Sequence, residues 1–488
     1  MYSFLPKHRL FGAAITLPVL MIVAIIMMMD SSNAYAFEDL RAFIDFLDSK
    51  GELVRIDKPV KTKYEAATVQ VKTFKQMNKA VLFTNLDNKG QKMLGNIYTS
   101  RRMIAYMFGV EPQNLVQKVT SFKNAPRLPV TVVDTAVCQE VVHESFKDIR
   151  DIVPIPWNYE KDENYYITAG VVVTKDPENG KVNSAICRMM YRGGNQLNVF
   201  FAPMQHNWMI FNKYKELKRD MPIAIIIGAD PFVMFSSESG IPYEENEFEY
   251  AGTMKGKSIE MVKCKTVDHY VPANAEFILE GMVSYKNTAL EGPMGENQRI
   301  YGPQAEQPVI TISCITHRKD PIYQNILGGT VEEHSLLAVP MEARILQMLR
   351  AISPRVITIN LLPNFMNCVI QVDEYPAVQR GLGKNILLSA LSEPWIKHAI
   401  VVNKDVDIDD PNEVNWAIMT RANMAEDLVL VKSIWGFVMD PSRKSKEEPV
   451  TKMGIDATVD PADRDRCLKT DVTNYGACDL RNYLTDMQ

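Results

Sequence analysis

The chain has 488 residues, 46% hydrophobic and 23% charged, which is enough for two or three domains with separate cores. A formal net charge of -5 leaves no basic footprint, so no nucleic-acid partner is expected. Seven cysteines, odd in number and without a CxxC pair, make neither a disulfide framework nor a structural zinc site and read as buried thiols of a reducing compartment.

Residues 1–36 form an apolar leader. Lys7, His8 and Arg9 precede an uncharged run from Leu10 to Met29 that is long enough to cross a bilayer once. "AYA" at 34–36 resembles a small-residue cleavage site. A signal-like segment, a membrane tether through residues 10–29, and a true start at Met28 or Met29 all stay open.

Residues 37–128 read as a small α/β domain. "FEDLRAFIDFLDSKGELVRIDKPV" gives an amphipathic helix, a stop at Gly51 and a strand, with "KAVLFTNL" and "RRMIAYMFGV" continuing the alternation. After the proline-rich "PRLPVTVVD", residues 129–325 are mainly strands and turns, which predicts a barrel or sandwich. "RGGN" at 192–195 is a hairpin turn, a helix is expected near 206–218, and "MPIAIIIGADPFVMF" reads as strand. Residues 326–488 hold a linking helix over "EEHSLLAVPMEARILQMLRAIS", a last α/β unit and a tail.

"LEGPMGENQRIYG" at 290–302 sets Glu291 and Glu296 on either side of Gly-Pro-Met-Gly, a spacer that resists helix and ordinary strand. A tight loop there brings two carboxylates together, and carboxylates in unequal environments divide into an acid and a base. A surface turn with two solvated glutamates is the plain alternative. In "NSAICRMMYR", Arg188 needs a partner if it is buried, and is unremarkable at a solvated strand edge. Asn183 and Arg188 face opposite ways in a regular strand, so a shared site requires Asn183 before the strand or at a bulge. Gln205 and His206 in "FAPMQHNW", and the hydroxyls and acids of "SSESGIPYEENEFEYAG", suit a hard cation as a set, although a structural histidine and an acidic loop explain them singly.

Read in order, "NSAICR", "PMQH", "SS…IP…E", "MVKCKTVDHYVPANAEFILEG", "EGPMGE" and "TKMGIDAT" resemble the motif series of the UbiD-type decarboxylases, from about Phe37 to near residue 460. The resemblance implies an α+β multidomain fold: an N-terminal α/β domain, a central split β-barrel that binds flavin, and a C-terminal α/β oligomerisation domain. It implies prenylated FMN as cofactor and a Glu–Arg–Glu catalytic set at Glu291, Arg188 and Glu296, with Glu291 as the proton donor. It implies Mn2+ or Mg2+ held by Asn183, His206 and Glu247, and a flavin lined by Gln205 and the backbone of Ser184, Ala185 and Ile186. Lys452 matches the phosphate-contacting lysine, and K+ would lie near Ser236, Ser237 and Ser239, with Glu247 again.

The chemistry is consistent with these residue types. Loss of carbon dioxide from an sp2 carbon leaves a carbanion that no side chain delocalises, so a cofactor must supply the electron sink. The expected reaction is reversible, non-oxidative decarboxylation of an aromatic or α,β-unsaturated carboxylic acid, by a homodimer or larger homo-oligomer. "GGTVEEHSLLAVPMEA" is similar to relatives acting on hydroxylated benzoates and sets Glu332, Glu333 or His334 near the pocket; a capping box of Thr330 and Glu333 is the alternative. Arg299 either grips a second polar group or is solvated. A flavin prenyltransferase would supply the cofactor in the cytoplasm, which places the catalytic body there, tethered or free, with export as the alternative. A noncatalytic subunit of a carboxylase and a metal-dependent hydrolase are the rival functions.

Overall fold

A computed structural model describes residues 37–459 apart from 375–378, 380 and 446, with isolated positions beyond. The leader, with its span at 10–29 and the "AYA" of 34–36, lies outside the described residues. Among the described residues no helix is long and apolar enough to cross a membrane.

The first helix, Leu40–Ser49, begins where the Asp39 carboxylate accepts from the Ala42 amide at 2.9 Å. It buries Leu40, Phe43, Ile44 and Leu47, the spacing of one helical face. Gly51, at φ 69, then turns the chain into the strand Leu53–Ile56. Two further strands, Ala80–Leu86 and Gln91–Gly95, extend this sheet. Its fourth strand is Ile322–Gln324, parallel to Gln91–Gly95, so a segment expected in the central unit completes the N-terminal one.

The central sheet has nine strands. Its order is Tyr166–Ile167, Met189–Gly193, Gln196–Val199, Ala305–His317, Phe277–Glu291, Met221–Ile227, Val171–Lys175 and Val182–Ile186, with Val141–His143 added beside Ala305–His317. Val182–Ile186 at one end of this order is joined in sequence to Met189–Gly193, the strand next to the other end, because only Cys187 and Arg188 separate them. Three Cα steps reach at most about 11 Å. The sheet must therefore curl until its ends nearly meet, which makes a half-barrel with Cys187 and Arg188 as its seam. Leu197, Ile223, Ile225, Leu279 and Ile310 fill its interior.

The "RGGN" hairpin forms as expected between Met189–Gly193 and Gln196–Val199, and the expected helix is His206–Glu216. Two stretches differ from the sequence reading. The apolar run after Met221–Ile227 becomes the helix Pro231–Ser236, with Asp230 accepting from the Phe232 amide at 2.8 Å and Pro231 in the first turn. The acidic stretch contains the helix Glu247–Lys255, capped by Asn246.

Helix Val331–Ile352 leads to the C-terminal unit. Thr330 and Glu333 do not form the capping box: the Thr330 hydroxyl donates to the Leu327 carbonyl, and Glu333 accepts from the Gly329 amide, both at 2.7 Å. The last sheet is ordered Val356–Asn360, Asn367–Val372, His398–Asn403, Val450–Ala457, Leu428–Ile434. Arg101 joins the units, donating to Glu342 at 2.8 and 2.5 Å and to the Asn360 side-chain carbonyl at 2.8 Å. Cys138, Cys187, Cys264, Cys314 and Cys368 are buried free thiols.

Candidate active site

Arg188 owes its position to the seam. The strand carrying Asn183 stops at Ile186, and the next begins at Met189, so Arg188 is freed from strand alternation. Asn183 stands within its strand, not ahead of it or at a bulge; the parity conflict is removed at the arginine. The Phe200 amide donates to the Arg188 carbonyl at 3.2 Å, and the guanidinium lies 4.1 Å from the centre of the Phe200 ring.

Glu291 is the last residue of the 15-residue strand Phe277–Glu291. Beyond it the chain turns through Gly292 and Pro293 into the short pair Met294–Gly295 and Tyr301–Gly302. Three contacts hold this turn: the Gly295 amide donates to Asp162 at 2.8 Å, the Gly292 amide to the Tyr166 hydroxyl at 3.1 Å, and the Gln304 side chain to the Gly292 carbonyl at 2.9 Å. Glu296 follows, its amide donating to the Ile300 carbonyl at 2.8 Å.

The loop thus delivers both carboxylates to one guanidinium. Arg188 Nε and Nη2 donate to the two oxygens of Glu291 at 3.1 Å each, a bidentate fork, while Nη1 donates to Glu296 Oε1. Side-chain exposure is 14% for Arg188, 1% for Glu291 and 9% for Glu296. Two acids share one cation in a site largely closed to water. Burial holds the Glu296 carboxyl above the usual carboxylate range against the pull of Arg188, and Glu291 adds to the rise. Burial thus favours the protonated form of Glu296 beside the fixed charge of Arg188.

A second polar cluster lies on the strand side of the seam. His206 Nδ1 is 3.0 Å from Asn183 Oδ1, and the Asn183 amide donates to Asn207 at 2.6 Å. The Ser184 amide donates to Glu247 at 3.0 Å, and the Ser184 and Ser237 hydroxyls are 3.2 Å apart. Burial pushes the Glu247 carboxyl up to about 8, against the Ser184 amide. Ala185 and Ile186 are half-buried, and Gln205 is exposed at the start of its helix. The hydroxyls of Ser236, Ser237 and Ser239 donate to carbonyls of their own helix, those of Val233 and Phe235.

Four further residues have these surroundings. Lys452 belongs to the C-terminal strand Val450–Ala457, and its ammonium donates to the Leu391 and Glu393 carbonyls at 3.0 and 2.5 Å. Glu332 accepts from the Asn96 and Ile97 amides at 2.9 and 2.7 Å, tying the linking helix to the N-terminal unit. Burial pushes the neighbouring Glu333 carboxyl up to about 8, with Glu296 adding to the effect. His334 has a ring nitrogen against each of two carbonyls, those of Pro363 and Asn297 at 2.7 and 2.6 Å, and so pins the Glu296 turn. Sequence reading missed Asp162 and Tyr166, which shape that turn from more than a hundred residues away. No spacing signal connects them.

Fold and relatives together define a carboxy-lyase. Family profiles of 3-octaprenyl-4-hydroxybenzoate carboxy-lyase match throughout: its N-terminal domain over residues 44–123, its Rift-related domain over 130–331 and its C-terminal domain over 334–457. The chain belongs to this UbiD family. An anhydromevalonate phosphate decarboxylase from Methanosarcina mazei is 33% identical over 424 residues, covering 86% of this chain and 95% of the relative. The enzyme of that name from Methanothermobacter thermautotrophicus is 30% identical, with 85% and 96% covered. Among solved structures, the UbiD-class enzyme HmfF from Pelotomaculum thermopropionicum, in complex with FMN, has a TM-score of 0.87 at 30% identity over 92% of this chain and all of that one (100%). Vanillic acid decarboxylase from Sedimentibacter hydroxybenzoicus has a TM-score of 0.82 at 26% identity, covering 91% and 97%.

Proposed function

We propose that this chain catalyses the reversible, non-oxidative decarboxylation of an aromatic or α,β-unsaturated carboxylic acid, with prenylated FMN held in the half-barrel. The observation that carries the reading is the buried Arg188 shared between Glu291 and Glu296. When bound, the modified flavin supplies the electron sink for the departing carboxylate's electrons. The side chains do the rest. Arg188 orients the acids and offsets negative charge, Glu291 delivers the proton to the carbon that loses carbon dioxide, and Glu296 keeps the guanidinium placed.

The residues of the second cluster fit the cofactor's phosphate and cation. Asn183, His206 and Glu247 offer one amide oxygen, one imidazole and one carboxylate, a donor set for Mn2+ or Mg2+. A cation would also offset the cost of burying Glu247 as a carboxylate. K+ near Ser236, Ser237 and Ser239 would meet oxygen lone pairs, since each hydroxyl has a helix carbonyl to which it donates. Ser184, Ala185, Ile186 and Gln205 would line the flavin, and Lys452 enters only through its third donor. A flavin prenyltransferase supplies the cofactor in the cytoplasm. Self-association is assigned to the C-terminal sheet, where Leu430 and Trp435 stand exposed by its outer strand.

A noncatalytic subunit would have no use for three buried charges converging in one place. A hydrolase would need a carboxylate free to activate water, and both are engaged by Arg188. Coexpression with a flavin prenyltransferase is the test. The expected result is a flavin-like absorbance spectrum together with carbon dioxide release and solvent-deuterium incorporation on a panel of benzoates and unsaturated acids. A colourless protein that hydrolyses its substrates would overturn the reading.

A further inference from the structure

A cavity of about 320 Å³ adjoins Glu296, within the range of small-molecule pockets. Its walls come from helix Glu65–Met77, the Glu296–Tyr301 turn and the start of helix Val331–Ile352. Val71, Phe74 and Ile300 give it an apolar lining. Two acids reach the wall, and both are matched: Glu296 by Arg188, Glu332 by the Asn96 and Ile97 amides. Two cations, Lys75 and Arg299, reach it as well, and neither side chain has an ion-pair or hydrogen-bond partner among the described residues.

Arg299 is held in place. Its backbone is left-handed at φ 62, a conformation unfavourable to a non-glycine residue. Its amide donates to the Glu296 carbonyl at 2.9 Å, which makes it the corner of the turn that carries Glu296. A Cβ on Gly329 would fall 2.8 Å from Arg299 Cγ, so the side-chain stem runs over bare glycine backbone. The sequence reading left Arg299 either solvated or gripping substrate; it is exposed and stands in the wall of this cavity.

We propose that the cavity receives the far end of the substrate, and that this end carries a second anionic group, a phosphate or a carboxylate, bound by Arg299 and Lys75. The inference rests on the decarboxylase reading of Glu296 and its partners. An arginine fork matches either oxyanion, the lysine adds a mobile point charge, and the apolar lining suits the hydrocarbon between the two acidic ends.

The test measures binding of sorbate, muconate and ω-phosphooxysorbate by calorimetry to the cofactor-loaded Glu291→Gln variant, where turnover is blocked. One or both dianionic probes should bind about tenfold or more tighter than sorbate. Preference for muconate identifies a carboxylate as the second group, and preference for the phosphooxy acid a phosphate. Arg299→Gln and Lys75→Gln, each added separately, should draw the ratio toward one. Lys75→Gln, on an exposed helix position, keeps the test open if Arg299→Gln misfolds. Equal binding of all three probes, or a ratio that neither substitution alters, overturns the proposal. Failure of the decarboxylase reading looks different: loaded wild-type enzyme releases no carbon dioxide from any probe, whatever the binding ratio.

Discussion

At Arg188 a single guanidinium faces two buried carboxyl groups. Burial keeps the Glu296 carboxyl protonated to higher pH than an exposed glutamate. Its raised value means the proton is present at low pH and lost as pH climbs through that range, so the rate of loaded enzyme should fall on the alkaline side. Glu296→Gln cannot titrate. Its rate–pH profile should lack that limb at a reduced plateau, and persistence of the limb would assign it to another group. Glu291→Gln keeps the shape of the side chain and removes its proton. Deuterium incorporation and carbon dioxide release should drop about a hundredfold or more, while the bound flavin's absorbance stays. Glu291 and Glu296 stood out as a pair across Gly-Pro-Met-Gly, with a solvated turn as the alternative, and Arg188 joined them only through the resemblance to the UbiD-type motif series. Asp162 and Tyr166 did not stand out, since a carboxylate and a phenol that hold backbone amides look like any other polar residues until the loop is folded against them.

Among the elements, the turn between Glu291 and Tyr301 is held from several sides. A Cβ on Gly328 would lie 2.3 Å from the Gly295 carbonyl oxygen, so the linking segment presses directly on the backbone just before Glu296. Gly328→Ala should push that backbone aside and lower kcat by about tenfold or more with little change in far-ultraviolet circular dichroism, since a small displacement near the reacting atoms is costly. Unchanged kcat would show that the turn yields elsewhere. The hairpin at 192–195 and the helix Leu40–Ser49 were readable because glycine placement and apolar periodicity are local signals. Pro231–Ser236 was misread as strand because every residue up to Phe235 is buried and apolar, which erases the helical period. Asp230 followed by proline was the available cue. The break between Val182–Ile186 and Met189–Gly193 left no local mark, because it is imposed by closure of the sheet.

For the whole molecule, the three units are joined by buried charge as well as by hydrocarbon. Arg101, 11% exposed, meets Glu342, 0% exposed, and the Leu361 amide donates to the same carboxylate at 2.7 Å. Arg101→Ala leaves Glu342 without its cation in the interior and should cost about 3–5 kcal/mol, read as a lower urea midpoint. A loss below about 1 kcal/mol would mean the carboxyl simply takes up a proton. The alternation of helix and strand signals suggested the succession of units, but nothing local showed that one short strand returns to the first sheet. Ile322–Gln324 sits next to barrel strands in sequence but pairs with Gln91–Gly95. This has a consequence for synthesis on the ribosome. The first three strands of that sheet emerge more than two hundred residues ahead of the fourth, so the amino-terminal unit must wait, one edge bare, until nearly the entire barrel has left the exit tunnel.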